Sequence, residues 1–248
     1  MVVFININMN NYNTINFKYN NDLNLQLTID EGCFIPNITT KLLIDAYCSK
    51  INQPQKVLDL GCGTGVVGIT LQKLGLIKNT IYASDLSASA CRMSEINFTK
   101  YGCTYDVRYG SLFEPWNNTK FDIIIDDLSA ISNDIAMQSS WFNNIPCDTG
   151  ESGIELILKV LKQAPNYLNK GGMLFFPVLS LSNHQFIVDF AKQKYDNIEL
   201  IAKLDWPIPD SFRSQRPLMQ DLYRKGMISF KNKFGILTST TSIYYCKI

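Results

Sequence analysis

The sequence predicts an α/β protein with a doubly wound, mainly parallel sheet of seven strands and helices on both faces. Two observations predict this class. From Ile51 onward, short apolar runs alternate with longer segments, and those segments repeat apolar residues at i, i+3, i+4 and i+7. Such alternation is typical of parallel strands joined by right-handed crossover helices. In this architecture, ligands bind beyond the carboxyl ends of the strands.

The individual elements follow from local signals. Gly75 and Gly102 predict helix ends, and Ser87 predicts a helix cap. The tail from Leu204 carries three prolines, and the alternation in its last residues predicts a final hairpin. The runs that predict buried strands are 56–60, 80–85, 105–110, 121–126 and 172–178.

Residues 1–50 differ from the rest because they are rich in asparagine. Strand-like patches at 2–7 and 23–29 precede a predicted helix from about Ile38 to Lys50. We expect this segment to form an N-terminal arm and a first helix, packed on a core domain that spans 51–248.

Composition narrows the possible functions. The 248 residues are 46% hydrophobic, enough for a packed core, and the formal charge is +1. A near-neutral chain has no general attraction for phosphate backbones, so we expect no nucleic-acid partner. No apolar run approaches the roughly 18 residues that a membrane span needs, and no signal peptide is recognisable, so a cytoplasmic protein without a membrane partner is predicted.

The cysteines argue against metal binding. Seven are scattered without a C-x-x-C pair, and the single histidine, His184, is expected on a surface loop. Structural zinc usually needs closely spaced ligand pairs, so we predict no metal and reduced thiols.

The glycine run VLDLGCGTGVVG at 57–68 carries the first chemical signal. Its glycines fit the dinucleotide pattern G-x-G-x-x-G. A P-loop is excluded, because no G-K-[ST] follows the glycines. Asp59 ends the strand two residues before Gly61, and a carboxylate there repels pyrophosphate and attracts a cation. S-adenosylmethionine has a sulfonium, an α-amino group and no phosphate, so it suits this loop better than a dinucleotide. Asp85 ends the next strand, where a carboxylate would take the ribose hydroxyls.

These motifs resemble class I S-adenosylmethionine-dependent methyltransferases, nearest to the branch of the release-factor and ribosomal-protein glutamine methyltransferases. VLDLGCGTGVVG, ASDLS, GSLFEPW and FDIIID follow in the order typical of that class, and LQLTIDEGCFIPNITTKLLID resembles its I-P-x-x-x-T segment. The resemblance covers roughly 24–180. It implies a Rossmann-like methyltransferase fold, S-adenosylmethionine as cofactor and S-adenosylhomocysteine as product. The implied cofactor-binding residues are Asp59, Gly61, Cys62, Gly63, Gly65, Asp85, Leu86, Ser111, Leu112 and Asp126.

Two positions depart from that pattern. Ser111 stands where the family usually has Asp, which predicts a weaker or backbone-mediated adenine contact. After the fourth strand, the family's N-P-P-Y or D-P-P-Y becomes Asp127, Leu128, Ser129 and Ala130. The stacking tyrosine is therefore missing, which argues against glutamine, adenine or cytosine as acceptor. We expect methyl transfer to N or O of a small molecule or an amino-acid-like acceptor.

Methyl transfer is an in-line displacement, so alignment and exclusion of water are the main contributions of the protein. Asp127 is the leading candidate for a catalytic base and Asp126 the second. Alternatively, one of the two only caps the following turn or balances the sulfonium.

The acceptor pocket is predicted in the long polar and aromatic segment after the fourth strand. Its side chains either wall the pocket or plug the loop from below. Trp206 and residues 238–242 either reach the pocket or form the solvent face of the last strand, and we favour the solvent face. The predicted substrate-binding residues are Ser129, Trp141, Phe142, Phe34 and Asn37.

Three other functions stay open. The cofactor could itself be the substrate of a cyclase or lyase that releases methylthioadenosine, which the missing acceptor clamp suggests. The protein could also bind S-adenosylmethionine without catalysis, although Asp59 and Asp85 argue against decay of the site. A nicotinamide cofactor is the third.

Overall fold

The computed structural model describes residues 12–128, 131–138, 142, 145, 147–209, 212 and 215–248. The strands are β1 Asn13–Lys18, β2 Asn24–Ile29, β3 Val57–Leu60, β4 Ile81–Asp85, β5 Tyr105–Tyr109, β6 Phe121–Asp126, β7 Leu168–Leu179, β8 Asn197–Pro207, β9 Lys231–Lys233 and β10 Ile236–Lys247. The helices are α1 Ile38–Lys50, α2 Val66–Lys73, α3 Ala88–Lys100, α4 Asn133–Met137, α5 Glu155–Gln163, α6 His184–Lys194 and α7 Arg216–Arg224.

The central sheet has the strand order β5-β4-β3-β6-β7-β10-β8, and the short β9 pairs with β10. The adjacent pairs β5–β4, β4–β3, β3–β6 and β6–β7 are parallel. β10 runs antiparallel to β7, β8 and β9. The predicted α/β class with a mainly parallel, doubly wound sheet is therefore confirmed. Patch 23–29 corresponds to β2, while patch 2–7 lies outside the described residues.

Each face of the sheet carries its own apolar core. Along β6, Ile123 and Ile125 pack with α1 and α2, while Ile124 between them packs with α5 and α6. This alternation follows from the two-residue period of a strand and explains why Ile123, Ile124 and Ile125 are apolar in succession.

The hairpin β1–β2 packs on the same face as α1. Asn97 of α3 holds it, because its side chain accepts from Thr28 N at 2.8 Å and donates to Thr28 O at 2.9 Å. The division into an arm of 1–50 and a domain of 51–248 stays a prediction.

A third apolar cluster joins two segments that are distant in sequence. Ile131 and Ile135 follow β6, while Phe212, Met219 and Leu222 lie between β8 and β10, and all are buried together. We call the described parts of 128–153 and 208–230 the cap. Sequence reasoning did not predict α7, because it noted only prolines and a final hairpin in the tail. The apolar face of α7 packs in this cluster.

Two predictions about the tail and the histidine are wrong. Residues 239–242 are buried, not solvent-facing, because β10 lies between β7 and β8 as an interior strand. The predicted hairpin is limited to β9 and the start of β10. His184 begins α6 instead of lying on a surface loop; its Nε2 lies 2.8 Å from Tyr244 Oη, and burial lowers its pKa.

None of the described helices combines the length and the apolar character that crossing a membrane requires.

Candidate functional site

A cavity of about 290 Å³ lies where β3, β4 and β6 end, beneath the cap. The adjacent strands bring these ends together, since Leu60 pairs with Ser84 on one side and with Asp126 on the other. We call one side the loop wall, formed by Gly61, Gly63, Asp85, Leu86, Ser111 and Leu112. We call a second group of lining residues the cap wall, formed by Phe34, Asn37, Thr40, Asp127, Phe142 and Trp206.

The glycine loop presents bare backbone to the cavity. Gly61 has φ +79° and donates from its N to Ser84 O at 2.8 Å, and a Cβ on it would overlap the Leu128 side chain. Gly63 has φ +49°, and the nearest described atom to a Cβ there would be Phe34 O at 4.0 Å. Both positions are left-handed, which favours glycine. A side chain at Gly63 would occupy the space that a ligand needs.

Asp59 lies behind the glycine loop and not on the cavity wall. Its Oδ2 accepts from Gly68 N at 3.1 Å, and its buried Oδ1 has no hydrogen-bond partner among the described residues. Burial raises its pKa to about 7, and the charge of Asp127 contributes in the same direction. Its predicted role toward the cofactor stays a prediction, in which its charge would act from behind the loop.

Asp85 lies on the loop wall with both oxygens fixed by backbone amides. Oδ2 accepts from Gly63 N at 3.0 Å and Oδ1 from Ser87 N at 2.8 Å. Burial raises its pKa, and these amides oppose the rise. A carboxylate held this way keeps lone pairs free for two hydroxyl donors.

Some of the remaining predicted cofactor residues line the cavity, and the others are not among its lining residues. Leu86, Ser111 and Leu112 lie on the cavity wall, where two leucines offer an apolar surface for a flat ring. Leu112 has φ +47°, an uncommon conformation for leucine. The Cys62 thiol is buried 3.7 Å from Ser94 Oγ, and Gly65 immediately precedes α2.

The two adjacent acids after β6 take different positions. Asp126 is buried, and its Oδ1 accepts from Leu128 N at 2.9 Å. This hydrogen bond corresponds to the alternative role, capping of the following turn, that the sequence analysis gave for one of the two acids. Asp127 is half-buried on the cap wall, and its Oδ2 accepts from Thr40 Oγ1 at 2.8 Å. Burial raises the pKa of each to about 7. Asp127 is therefore the carboxylate placed to meet a ligand.

Hydroxyl and aromatic contacts hold the cap wall together. Trp206 Nε1 donates to Thr241 Oγ1 at 2.9 Å, and Thr241 Oγ1 lies 3.2 Å from Thr39 Oγ1. The rings of Phe34 and Phe142 are in contact with 5.5 Å between centroids, tilted by 35°. Asn37 caps α1 by accepting from Thr39 N at 2.7 Å.

Sequence reasoning missed the link between Thr40 and Asp127, because 87 residues separate them. The threonine after the I-P dipeptide was the only available signal. Two predicted substrate residues, Ser129 and Trp141, lie outside the described residues.

The cavity suits a cationic ligand. Among its described lining residues, Asp85 and Asp127 are acidic and none is Lys, Arg or His. A pyrophosphate would meet no positive side chain on these walls, whereas a sulfonium would lie near carboxylates. The open cradle at Gly63 and the unpaired Asp59 Oδ1 also fit S-adenosylmethionine.

The chain has the fold of the class I S-adenosylmethionine-dependent methyltransferases. Residues 30–127 match the family model of the methyltransferase small domain. A release factor glutamine methyltransferase of Geobacter sulfurreducens is 25% identical over 158 residues, which is 60% of this chain and 54% of that protein. The chain thus spans about half the length of this curated relative.

Solved structures share the fold. A ribosomal protein L11 methylase from Lactobacillus delbrueckii subsp. bulgaricus superimposes with a TM-score of 0.57 at 17% identity, over 92% of this chain and 97% of that one. A 16S rRNA N2 G1207 methyltransferase of T. thermophilus gives a TM-score of 0.60 at 11% identity, over 95% of this chain and 50% of that one.

These comparisons correct one prediction. The expectation of a small-molecule acceptor and no nucleic acid is wrong, because the relatives are named for release factor, ribosomal protein and ribosomal RNA substrates. The missing N-P-P-Y tyrosine removes one stacking contact for a planar acceptor group, but it does not determine whether that group belongs to a small molecule or to a macromolecule. Net charge was a poor guide as well, since it describes the whole chain and not one surface.

Proposed function

We propose that this protein transfers a methyl group from S-adenosylmethionine to a nitrogen atom of a protein. The observation that carries the proposal is the position of Asp127, a half-buried carboxylate on the cap wall that shares one cavity with the glycine loop. The names of relatives that act on release factor and on ribosomal protein L11 support a protein acceptor.

The loop wall would hold the cofactor. The bare backbone at Gly61 and Gly63 would cradle its methionine part, Asp85 would accept from the ribose hydroxyls, and Leu86 and Leu112 would flank the adenine. When bound, the cofactor supplies a methyl carbon activated by positive sulfur.

The cap wall would hold the acceptor. Asp127 would accept a hydrogen bond from the nitrogen, orient its lone pair and take up its proton. The aromatic rings of Phe34, Phe142 and Trp206 would exclude water from the reacting atoms.

The test is transfer of tritium from methyl-labelled S-adenosylmethionine into a cell extract by the purified protein. We expect label that precipitates with protein, is released by protease and resists ribonuclease. Asp127→Asn should lower the transfer rate at least about 100-fold, the usual range for loss of a general base, while cofactor affinity changes little.

Three results would contradict the proposal. Label removed by ribonuclease would identify an RNA acceptor. Methylthioadenosine formed without extract, above its spontaneous rate, would identify a cofactor-consuming lyase or cyclase. Cofactor binding without any turnover would identify a binding protein.

A further inference from the structure

The β9–β10 hairpin carries an apolar tip beyond the carboxyl edge of the sheet. Resting on the proposed function, we propose that this tip docks the acceptor protein, with Phe234 and Ile236 bound in an apolar cleft of that protein and Ile35 as a second contact beside the cavity. The occupant is therefore a folded protein that presents apolar surface near the methylated nitrogen. A nucleic acid and a second copy of this chain are the occupants that the proposal rejects.

The hairpin extends past the two strands that flank β10. Thr241 of β10 pairs with Leu179, the last residue of β7, and Thr238 pairs with Pro207, the last residue of β8. Ile236 pairs with β9 alone, and at about 3.3 Å per residue it lies about 17 Å beyond Thr241. A standard protein interface covers about 800 Å² on each partner, which spans this distance. A protein whose nitrogen enters the cavity therefore reaches the tip, whereas a small molecule within the cavity does not.

Contacts at its base hold the hairpin in place. Lys231 Nζ donates to both carboxylate oxygens of Asp205, at 3.2 and 2.9 Å. Ile208 N donates to Leu237 O at 2.8 Å, and the Leu237 side chain packs on the apolar cluster of the cap. The tip is thus presented by a braced base, so that little ordering has to accompany binding.

The folding of the chain does not explain Phe234 at the tip. Its φ is +53°, in the left-handed region that favours glycine and asparagine and strains a bulky residue. Phe234 is fully exposed, and more than half of Ile236 is exposed as well. Both side chains gain free energy when a partner removes them from water. Exposed aromatic anchors of this kind supply much of the binding energy at protein interfaces.

Other exposed apolar side chains lie around the same mouth. Ile35, Ile38, Leu86 and Met137 are each exposed over half or more of their surface. Ile38 and Leu86 line the cavity, and Ile35 follows Phe34 of the cap wall. Apolar surface gathered around a cavity is typical of an interaction site.

Charge favours a protein over a nucleic acid as the occupant. Binding of a phosphate backbone depends on lysine and arginine side chains that are free to pair with it. Lys231 of the hairpin is already paired with Asp205, and the described lining of the cavity includes Asp85 and Asp127 but no Lys, Arg or His. A nucleic acid would therefore meet apolar side chains and carboxylates, and the carboxylates repel its phosphates.

Phe234→Asn in the full-length protein tests the inference, because asparagine removes the ring and tolerates the left-handed backbone better than phenylalanine. Methyl transfer from labelled S-adenosylmethionine is measured over a series of extract concentrations. We expect the apparent KM for extract protein to rise at least about tenfold, as for loss of an interface anchor, while the maximal rate changes less than about twofold. The midpoint of thermal unfolding should stay the same or rise, because strain is relieved; a side chain that only supported the fold would lower it.

Two further variants place the effect on the molecule. Ile35→Ser should also raise the apparent KM. Leu74→Ser is the matched control, because Leu74 is exposed at the opposite edge of the sheet, two residues before Leu76, whose carbonyl accepts from Gln55 N ahead of β3. It should change neither constant.

The outcomes separate this inference from the proposed function. If protein is labelled but Phe234→Asn leaves the apparent KM unchanged, or Leu74→Ser raises it equally, the inference is overturned and the proposed function stands. Label confined to RNA would overturn both. Analytical ultracentrifugation of the purified protein tests the remaining occupant: a dimer that Phe234→Asn converts to a monomer would assign the tip to self-association and overturn the inference.

Discussion

The loop wall and the cap wall enclose the same cavity but are built in different ways. The loop wall comes from one stretch, 61–112, and backbone amides hold it: Gly61 N donates to Ser84 O, and Gly63 N donates to the Asp85 carboxylate. The cap wall combines α1, the end of β6, the cap and β8, and side-chain hydroxyls tie it together. Thr40 binds Asp127 across 87 residues, and Thr39 lies beside Thr241 across 202.

The difference has an energetic consequence. A side-chain change cannot remove a bond between two backbone groups, such as the one from Gly61 N to Ser84 O, but replacing a hydroxyl by a methyl removes a cap-wall bond at a cost of about 1 kcal/mol. We therefore expect the loop wall to tolerate few backbone-altering changes and the cap wall to respond in small, separable steps. Under the proposed function, the acceptor side would vary while the cofactor side stays intact.

The largest expected effect comes from Gly61→Ala. Alanine at φ +79° is strained by about 1–2 kcal/mol, and its Cβ overlaps Leu128, which adds about 1–3 kcal/mol. We expect the free energy of unfolding, measured in urea, to fall by about 3 kcal/mol.

Gly63→Ala is the matched control, because its Cβ enters open space. It should cost only about 1–2 kcal/mol of stability from backbone strain, yet abolish calorimetric binding of S-adenosylmethionine. Unchanged cofactor affinity in Gly63→Ala would show that this glycine does not form the cradle.

The next prediction concerns the pH dependence of stability and compares a buried acid, Asp59, with an exposed one. Asp59 has a pKa of about 7 in the fold and near 4 when unfolded. The native state thus holds an extra proton between these values, and the contribution of Asp59 to stability is full below pH 4 and lost as pH rises through 7. Asp59→Asn keeps an acceptor for Gly68 N and removes the titration. Between pH 5 and pH 8, we expect the variant to gain at least about 1 kcal/mol of unfolding free energy relative to the unmodified protein.

Asp221→Asn on α7 is the control, since Asp221 is exposed and paired with Lys225. Its difference from the unmodified protein should stay nearly constant over the same pH range. If Asp59→Asn also shows a constant difference, the pKa of Asp59 is not raised.

The same contrast explains what the sequence could predict. The strand–glycine–helix pattern and Asp85 lie within about 30 residues, so local rules predicted the fold correctly and predicted which residues follow its strands. Ser239 and Thr241 were misjudged because alternation of polar residues indicates a strand but not whether its neighbours cover it. Thr40 and Trp206 join the site through contacts 35–87 residues apart, which no local period reports.

Thr40→Val tests the cap wall directly. The Thr40 hydroxyl opposes the rise in the Asp127 pKa, so its loss should raise that pKa further. If Asp127 acts as a base, less of it is ionised at pH 7, and kcat should fall about tenfold, equivalent to about 1.4 kcal/mol. The rising limb of the pH–rate profile should move to higher pH. Thr40→Ser retains the hydroxyl and should restore both quantities, whereas a profile that does not move would reduce Thr40 to a packing role.

The smallest expected effect comes from two tryptophan substitutions, one at the cap wall and one beside the loop wall. Trp206 Nε1 binds Thr241 at the cap wall, and Trp116 Nε1 donates to Ser84 Oγ at 3.0 Å, where Ser84 O also holds Gly61. Phenylalanine at either position keeps an aromatic ring and removes one hydrogen bond, worth about 1 kcal/mol. Trp206→Phe should raise the KM for the acceptor protein severalfold and leave the cofactor Kd unchanged. Trp116→Phe should do the converse, because the bond it loses anchors the strand end that positions the glycine loop. If both variants changed both constants equally, the two walls would be coupled and acceptor recognition could not vary independently of the cofactor site.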